Sequence, residues 1–196
     1  MSEEFPEMQG PVCPVPHMET ERVVLGHGSG GKMMADLIRG VFQPPLSNPI
    51  LHKENDAGVA HHTPSGTPLA VSTDAHVVSP LFFPGGDIGK LSVCGTVNDV
   101  AMVGAVPKYL TASFILEEGL EISTLKKVVA SMQSAAQEAG VEVIAGDTKV
   151  VSRGEADGLY ISTTGIGFPR QGITISSDLA RAGDVVILSG TMGDHG

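Results

Sequence analysis

The sequence lacks tryptophan, and aromatic residues make up only 4% of its 196 residues. Proteins that bind single-stranded nucleic acid commonly stack bases on aromatic side chains, so this composition disfavours that class of partner. Basic residues are also few: 12 Lys and Arg stand against 22 Asp and Glu, which gives a formal net charge of −10. Because the nucleic-acid backbone is bound mainly by clustered Lys and Arg, and no basic run occurs, we expect no nucleic-acid partner.

Cysteine and long apolar runs are scarce as well. The two cysteines, Cys13 and Cys94, lie far apart and outside any CxxC pair, which argues against a disulfide framework and a zinc site. No apolar run reaches the length of a transmembrane helix. The acidic, proline-rich N-terminus lacks the apolar segment of a signal peptide. These features predict a cytoplasmic protein without a membrane partner.

Apolar periodicity predicts alternating helices and strands. Spacings of three and four residues predict helices over about 32–43, 87–103 and 122–139. Short apolar or alternating runs predict strands at 22–25, 56–60, 69–73, 108–118, 141–146, 159–168 and 183–190, and the 141–146 strand is expected to be buried. Several strands follow one another directly, so we expect an α+β fold rather than a doubly wound parallel sheet.

The same pattern divides the chain into three parts. Residues 1–21 carry many prolines and little to bury, and are expected to be a disordered tail. Residues 22–168 are expected to form an N-terminal domain, and 169–196 the beginning of a truncated second α+β domain. The reason is that the predicted strand 183–190 is followed only by a glycine loop, which offers it nothing to pack against.

Four aspartates stand at predicted element ends beside small residues: Asp56, Asp74, Asp99 and Asp147. Each one alone is adequately explained as a turn or capping residue. Carboxylates that converge from several element ends would suit Mg²⁺, which prefers oxygen ligands and often bridges to nucleotide phosphates. Taken together, the four favour a shared site. Asn98, beside Asp99, is predicted to lie on the apolar stripe of its helix.

A glycine-rich loop, "GHGSGGK" at 26–32, precedes the first predicted helix. Its backbone N–H groups at Gly28, Gly30 and Gly31 could meet an anion, although a flexible turn explains the loop equally simply. It is not a Walker A motif, because Met33 occupies the Ser/Thr position. Lys149 could contact a phosphate or be an ordinary solvated charge. The histidines at positions 27, 76 and 195 are expected in loops, without a metal role.

Several longer strings resemble one family. "STDAHVVSPLFFPGGDIGKLSVCGTVNDVAMVGAVPKYL", "FILEEGLEISTLKKVV", "AGDTKVVSRG" and "LSGTMGDHG" are similar to the HypE family of hydrogenase maturation proteins, and the similarity runs from Val23 to Gly196. The family lies in the superfamily of aminoimidazole ribonucleotide synthetase and selenophosphate synthetase. The resemblance implies that superfamily's N-terminal domain, in which helices cover a mixed or antiparallel sheet.

The resemblance also implies an activity and partners. In this family, a HypF-like carbamoyltransferase is expected to load a carboxamide onto the C-terminal cysteine of the HypE protein. ATP, with Mg²⁺, then activates the amide oxygen, and loss of phosphate leaves a thiocyanate. The cyano group passes to iron on a HypC–HypD complex for the [NiFe] hydrogenase centre. A homodimer is implied as well. Two other functions stay open: a small-molecule kinase or synthetase of the same superfamily, and a non-catalytic module that docks hydrogenase-assembly partners.

Site residues are implied position by position. Metal binding is expected at Asp56, Asp74 and Asp99, and nucleotide contact also at Asp74. Asn98 is expected to contact the nucleotide and to orient its neighbour, and Asp99 and Lys149 to act in catalysis. A phosphate-contacting turn, often supplied across the dimer, is expected at Gly146, Asp147 and Thr148. The glycine loop at Gly28, Gly30 and Gly31 is a weaker phosphate candidate.

One feature departs from the family pattern. Members of the family continue through a second domain and end in the cysteine that accepts the carbamoyl group, whereas this sequence stops at Gly196. Neither of its cysteines maps to that terminal thiol. We therefore expect the chain to form the first domain and to need further sequence for the complete reaction.

Overall fold

The structure is a computed structural model that describes residues 22–61, 64 and 66–191. The chain divides into two units between Ser47 and Asn48, and each unit is described by itself. The expected tail at 1–21 lies outside the described residues, as do Cys13 and His195. The domain boundaries expected from the sequence stay a prediction.

The first unit is helical over most of its described length. A 3₁₀ turn at Leu25–Gly28 leads into helix α1 (Lys32–Leu37), a π-helical turn (Ile38–Phe42) and helix α2 (Gln43–Leu46). The predicted strand at 22–25 is wrong, because the Val24 N–H donates to His27 Nδ1 over 3.0 Å and the chain turns there. The predicted helix is confirmed and runs beyond 43, because the first turn of α2 tolerates its two prolines.

The second unit is built on a five-stranded mixed sheet. Its strands are β1 (Gly58–Ala60), β2 (Leu69–His76), β5 (Ala105–Glu117), β6 (Glu142–Val151) and β7 (Leu159–Pro169). They lie in the order β1-β2-β7-β5-β6, with β5 and β6 parallel and the other neighbours antiparallel. Two further short strands, β3 (Phe82–Phe83) and β4 (Gly86–Asp87), pair with each other. The expected α+β fold with a mixed sheet is confirmed.

Two long helices pack on the sheet, and both were predicted. Helix α3 (Ile88–Met102) contacts β2, β5 and β7, and helix α4 (Ile122–Ala139) contacts α3 and connects β5 to β6. Helix α3 begins where the Asp87 carboxylate accepts the N–H groups of Gly89 and Lys90. Helix α4 ends at Gly140, whose φ of 68° is left-handed. Within the described ranges, no helix combines the length and the hydrophobicity needed to cross a bilayer.

Glycines in β7 bring helix α3 close to the sheet. A Cβ atom on Gly165 would lie 2.8 Å from side-chain carbons of Thr96 and Val100, and one on Gly167 would lie 2.5 Å from Val100. Neither position has room for a side chain. The helix therefore rests directly on β7, and its inward residues come within reach of side chains on β2.

Two strand predictions need correction. The strand expected to be buried at 141–146 is the edge strand β6, which has one neighbouring strand and little helix packed against it. Its residues are exposed except Val151, and the buried Val141 precedes the strand. The strand expected at 183–190 is absent: the described residues from 170 to 191 form no strand. Its apolar side chains have no partner strand, and Val186 is 88% exposed. An apolar run alone does not supply the neighbouring strand that a β-strand requires.

Candidate carboxylate site

The candidate site lies where the end of β2 meets helix α3. Strand β2 alternates between the two faces of the sheet, so every second residue points toward the helix. Ser72 Oγ, on this inner face, lies 2.9 Å from the carbonyl oxygen of Asp56 and 3.0 Å from Asp99 Oδ2. Its one proton therefore serves two acceptors. This contact joins the segment before β1, strand β2 and helix α3 at one point.

Three carboxylates influence one another at this point. The pKa of Asp99 is raised chiefly because burial removes water from its carboxylate, and the negative charges of Asp74 and Asp56 raise it further. The hydrogen bond from Ser72 and the nearby His76 oppose this effect. Negative charge is thus concentrated here, and a bound cation would relieve the repulsion.

The arrangement fits a divalent cation in its chemistry, since carboxylate oxygens are the ligands that Mg²⁺ prefers. Burial is the largest cause of the raised pKa of Asp99, and the charges of Asp74 and Asp56 add to it. Yet nowhere in the described part of the chain do three His, Cys, Asp or Glu side chains stand close enough together to hold a metal ion. Asp56, Asp74 and Asp99 are therefore neighbours rather than a closed coordination set. Their joint role as metal ligands stays a prediction.

His76 is a residue of this site that the sequence did not predict. It was expected in a loop, but it is the last residue of β2 and is only 5% exposed. Its Nε2 atom lies 3.6 Å from Asp74 Oδ2 and 3.2 Å from Thr163 Oγ1. Burial lowers its pKa, an effect that the charges of Asp74 and Asp99 oppose. The missed signal was the alternation of inward positions beyond the predicted strand end: Ala70, Ser72, Asp74 and His76.

Asn98 and Asp99 are adjacent in the chain but have different environments in the structure. Asn98 is exposed, so its expected place on the apolar stripe is wrong. The buried positions of helix α3 are Ile88, Gly89, Ser92, Val93, Thr96 and Val100. Asp99 stands beside this set and reaches Ser72. Gly95 permits the close approach, because a Cβ atom there would lie 3.1 Å from Asp74 Oδ2 and from His76 Cε1.

The expected phosphate turn is instead part of a strand. Gly146, Asp147 and Thr148 lie within the edge strand β6. A Cβ on Gly146 would be 2.8 Å from the carbonyl oxygen of Ala112, so glycine is needed there for pairing with β5. Lys149 Nζ lies 2.7 and 3.0 Å from the two carboxylate oxygens of Asp147, and this bond lowers the pKa of Asp147. Both side chains are exposed, and their role stays a prediction.

The glycine loop belongs to the first unit. Gly28 ends the 3₁₀ turn, and Gly31 is the residue before helix α1. Gly30 has a φ of 76°, a conformation that favours glycine. A Cβ atom on any of the three would meet nothing within 4 Å, so these glycines leave open space around the backbone. A phosphate-binding role for the loop stays a prediction.

Comparison with known proteins identifies the family of this fold. The profile of the AIR synthase related protein, N-terminal domain, matches residues 54–168, which is most of the second unit and more than half of the chain. The chain belongs to this family. Among curated relatives, it is 54% identical over 180 residues to the carbamoyl dehydratase HypE of Cupriavidus necator, covering 92% of this chain and 51% of that protein.

Solved structures agree with this assignment. A HypE–HypF complex contains a chain that superposes with a TM-score of 0.75 at 51% identity, covering 82% of this chain and 51% of that one. HypE in complex with ATP superposes with a TM-score of 0.53 at 54% identity, covering 76% of this chain and 44% of that one. The chain therefore spans about half the length of the curated relatives and solved structures that it matches.

Proposed function

We propose that this chain is the ATP- and Mg²⁺-binding half of a HypE-type carbamoyl dehydratase. The observation that carries the proposal is the 54% identity, over 92% of the chain, to the carbamoyl dehydratase HypE of Cupriavidus necator. A concentration of carboxylates around Asp99, at the junction of β2 and α3, is consistent with it.

The proposed reaction removes water from a carboxamide carried on a cysteine thiol. An amide oxygen is a poor leaving group, and transfer of the γ-phosphoryl group of ATP to that oxygen turns it into a good one. The amide then loses both of its N–H protons as the oxygen departs in phosphate, which leaves a thiocyanate, ADP and phosphate. Such chemistry depends mainly on positioning and on neutralisation of the phosphate charge.

The residues of the chain have separate proposed tasks. Asp74 and Asp99, with Asp56, would hold Mg²⁺, which neutralises phosphate charge when it is bound. Lys149 would contact a phosphate after exchanging its present partner, Asp147. The exposed Asn98 would contribute a nucleotide contact.

Partners are part of the proposal. The uncovered face of the sheet bears partly exposed apolar side chains of β2, β5 and β7, namely Val71, Tyr109, Ile115 and Phe168, and a second copy of the chain would cover them. A HypF-like carbamoyltransferase is proposed because a HypE chain 51% identical to this one was solved in a HypE–HypF complex. Delivery to a HypC–HypD complex and a cytoplasmic location follow from the same proposal.

Nucleotide binding is tested first by calorimetric titration of ATP into the 196-residue chain with and without Mg²⁺. We expect binding that requires Mg²⁺, that is lost in Asp99→Asn, and that persists in Glu138→Gln, which removes an exposed carboxylate on α4. Binding that ignores Mg²⁺, or that survives in Asp99→Asn, would contradict the assigned metal site.

Dehydration is tested by joining residues 1–196 to the C-terminal half of the Cupriavidus necator relative. After carbamoylation of the terminal cysteine, mass spectrometry should show loss of one water from that residue when ATP is added. ATP-dependent phosphorylation of a diffusible small molecule, without this loss, would favour a kinase or synthetase. ATP binding without any reaction would favour a docking module.

A further inference from the structure

A chain of buried hydrogen bonds lies behind the carboxylate site. Thr163 on β7 is 1% exposed, and its hydroxyl oxygen has three polar neighbours. It lies 3.0 Å from the carbonyl oxygen of Ser92, 2.6 Å from Thr96 Oγ1 and 3.2 Å from His76 Nε2. Thr96 and Ser92 are themselves fully buried, so water cannot replace any of these partners.

Only one assignment of protons makes all three contacts hydrogen bonds at the same time. A carbonyl oxygen only accepts, so the single hydroxyl proton of Thr163 goes to Ser92. Thr163 Oγ1 must then accept from both remaining neighbours through its two lone pairs. Thr96 therefore donates its hydroxyl proton to Thr163, and His76 donates from Nε2. The neutral His76 ring is thereby restricted to the tautomer that carries its proton on Nε2.

This tautomer matters for Asp74. The same Nε2 atom lies 3.6 Å from Asp74 Oδ2, so an N–H group there presents positive charge to that oxygen. The other tautomer would present a nitrogen lone pair and repel it. The second carboxylate oxygen, Oδ1, accepts the N–H of Ala75 at 2.9 Å. The backbone N–H of Ala75 thus fixes one carboxylate oxygen of Asp74. The other oxygen interacts with the His76 ring, which in turn contacts Thr163.

We propose that Thr163 is a positioning residue for the metal site: by accepting from His76 Nε2 it selects the tautomer that keeps the Asp74 carboxylate turned toward helix α3. The expected effect on Mg²⁺-dependent ATP binding rests on the proposed function. The tautomer of His76 does not depend on any ligand. Residues that orient a metal ligand through a hydrogen bond typically alter metal affinity by roughly 10- to 100-fold when they are removed.

The tautomer is measured directly by long-range proton–nitrogen NMR correlation of the His76 ring in the 196-residue chain without ligands. We expect the Nε2-protonated tautomer in the wild type and in Thr163→Ser, which keeps the hydroxyl. In Thr163→Val we expect a mixture of tautomers. A wild-type ring protonated on Nδ1 overturns the inference, and this measurement does not require the valine variant to fold.

Measurements of ATP binding then distinguish a positioning role of Thr163 from a general loss of stability. We expect Thr163→Val to lower the affinity of Mg²⁺-dependent ATP binding by roughly tenfold or more. The Thr163→Ser variant keeps the hydroxyl group and should bind ATP as the wild type does. Val128→Ala serves as the control, because it opens a cavity in the core against α3 and lowers stability without touching the hydrogen-bond chain. Equal weakening in Val128→Ala, or unchanged binding in Thr163→Val, would overturn the inference. If the wild type binds no ATP, the proposed function fails, and the tautomer measurement still decides the inference.

Discussion

Replacing Gly89 by alanine tests how helix α3 is held in place. A Cβ atom at this position would lie 2.3 Å from the carbonyl oxygen of Val128 on α4 and 2.9 Å from Asp87 Oδ1. In an open helix the same change stabilises a protein by about 1 kcal/mol. Here the two helices cross with no space for a methyl group, so the intrinsic preference for alanine is opposed by a steric clash.

The magnitude follows from the distances. Real Cβ atoms essentially never approach a neighbour more closely than 3.0 Å, and 3.0 minus 2.3 leaves an overlap of about 0.7 Å. The obstructing atom belongs to backbone, so relief requires a shift of α4 rather than a side-chain rotation. Overpacking of this kind costs about 1–3 kcal/mol, and disturbing the Asp87 cap adds about 1 kcal/mol. After the helix preference is subtracted, a net loss of about 1–3 kcal/mol remains.

Urea denaturation followed by far-UV circular dichroism measures this loss, and thermal unfolding should show a Tm lower by roughly 2–4 °C for each kcal/mol. The matched control is Gly40→Ala, because Gly40 lies in a helical segment where a Cβ would meet nothing within 4 Å. The control should show no loss. A Gly89→Ala variant as stable as the wild type would contradict the predicted clash between α3 and α4.

Two further predictions concern charge. Asp99→Asn should abolish Mg²⁺-dependent ATP binding and yet raise the free energy of unfolding at neutral pH, because burial and the neighbouring carboxylates raise the pKa of Asp99 and its ionised form therefore opposes folding. This gain in stability should shrink as the pH falls through the raised pKa of the folded state, where wild-type Asp99 becomes neutral. Urea titrations at several pH values measure the gain. A variant less stable than the wild type at neutral pH would contradict the prediction. Glu117→Gln should lower stability at neutral pH, because the N–H groups of Gly154 and Gly158 bond to the carboxylate and lower its pKa. A lowered pKa in the folded state contributes stability that is fully present above the ordinary value of 4.5 and is lost as the pH falls through the folded value. The difference in stability between wild type and variant should therefore vanish in acid. A difference that does not change with pH would exclude this cause.

Local sequence was a good guide wherever a signal repeats within one element. Helix α4 was predicted at 122–139 and occupies Ile122–Ala139, because its apolar stripe recurs over several turns and Gly140 provides a stop. The strand predicted at 159–168 is β7, one residue longer. In both cases the pattern that identifies the element is also the pattern that packs it, so no distant residue is needed to interpret it.

Sequence was a poor guide wherever the outcome depends on a neighbour. The apolar run in β6 reads as buried, but its position at the edge of the sheet leaves it exposed. Asn98 reads as part of an apolar stripe, but the contact of Gly95 with Asp74 and His76 shows that another face of α3 meets the sheet. Thr163 lies in a run of hydroxyl residues that carries no local signal, and its three polar partners come from β2 and α3.

The fold class, the two long helices, the family resemblance and the candidate aspartates could all be predicted before the structure was known. These depend on residue type and periodicity, which are local properties. Three features could not be predicted: which carboxylates influence one another, the burial of His76 beside them, and its contact with Thr163. Those properties arise from β2, β7 and α3 meeting at one point, and distances between segments far apart in the chain exist only once the sheet has formed.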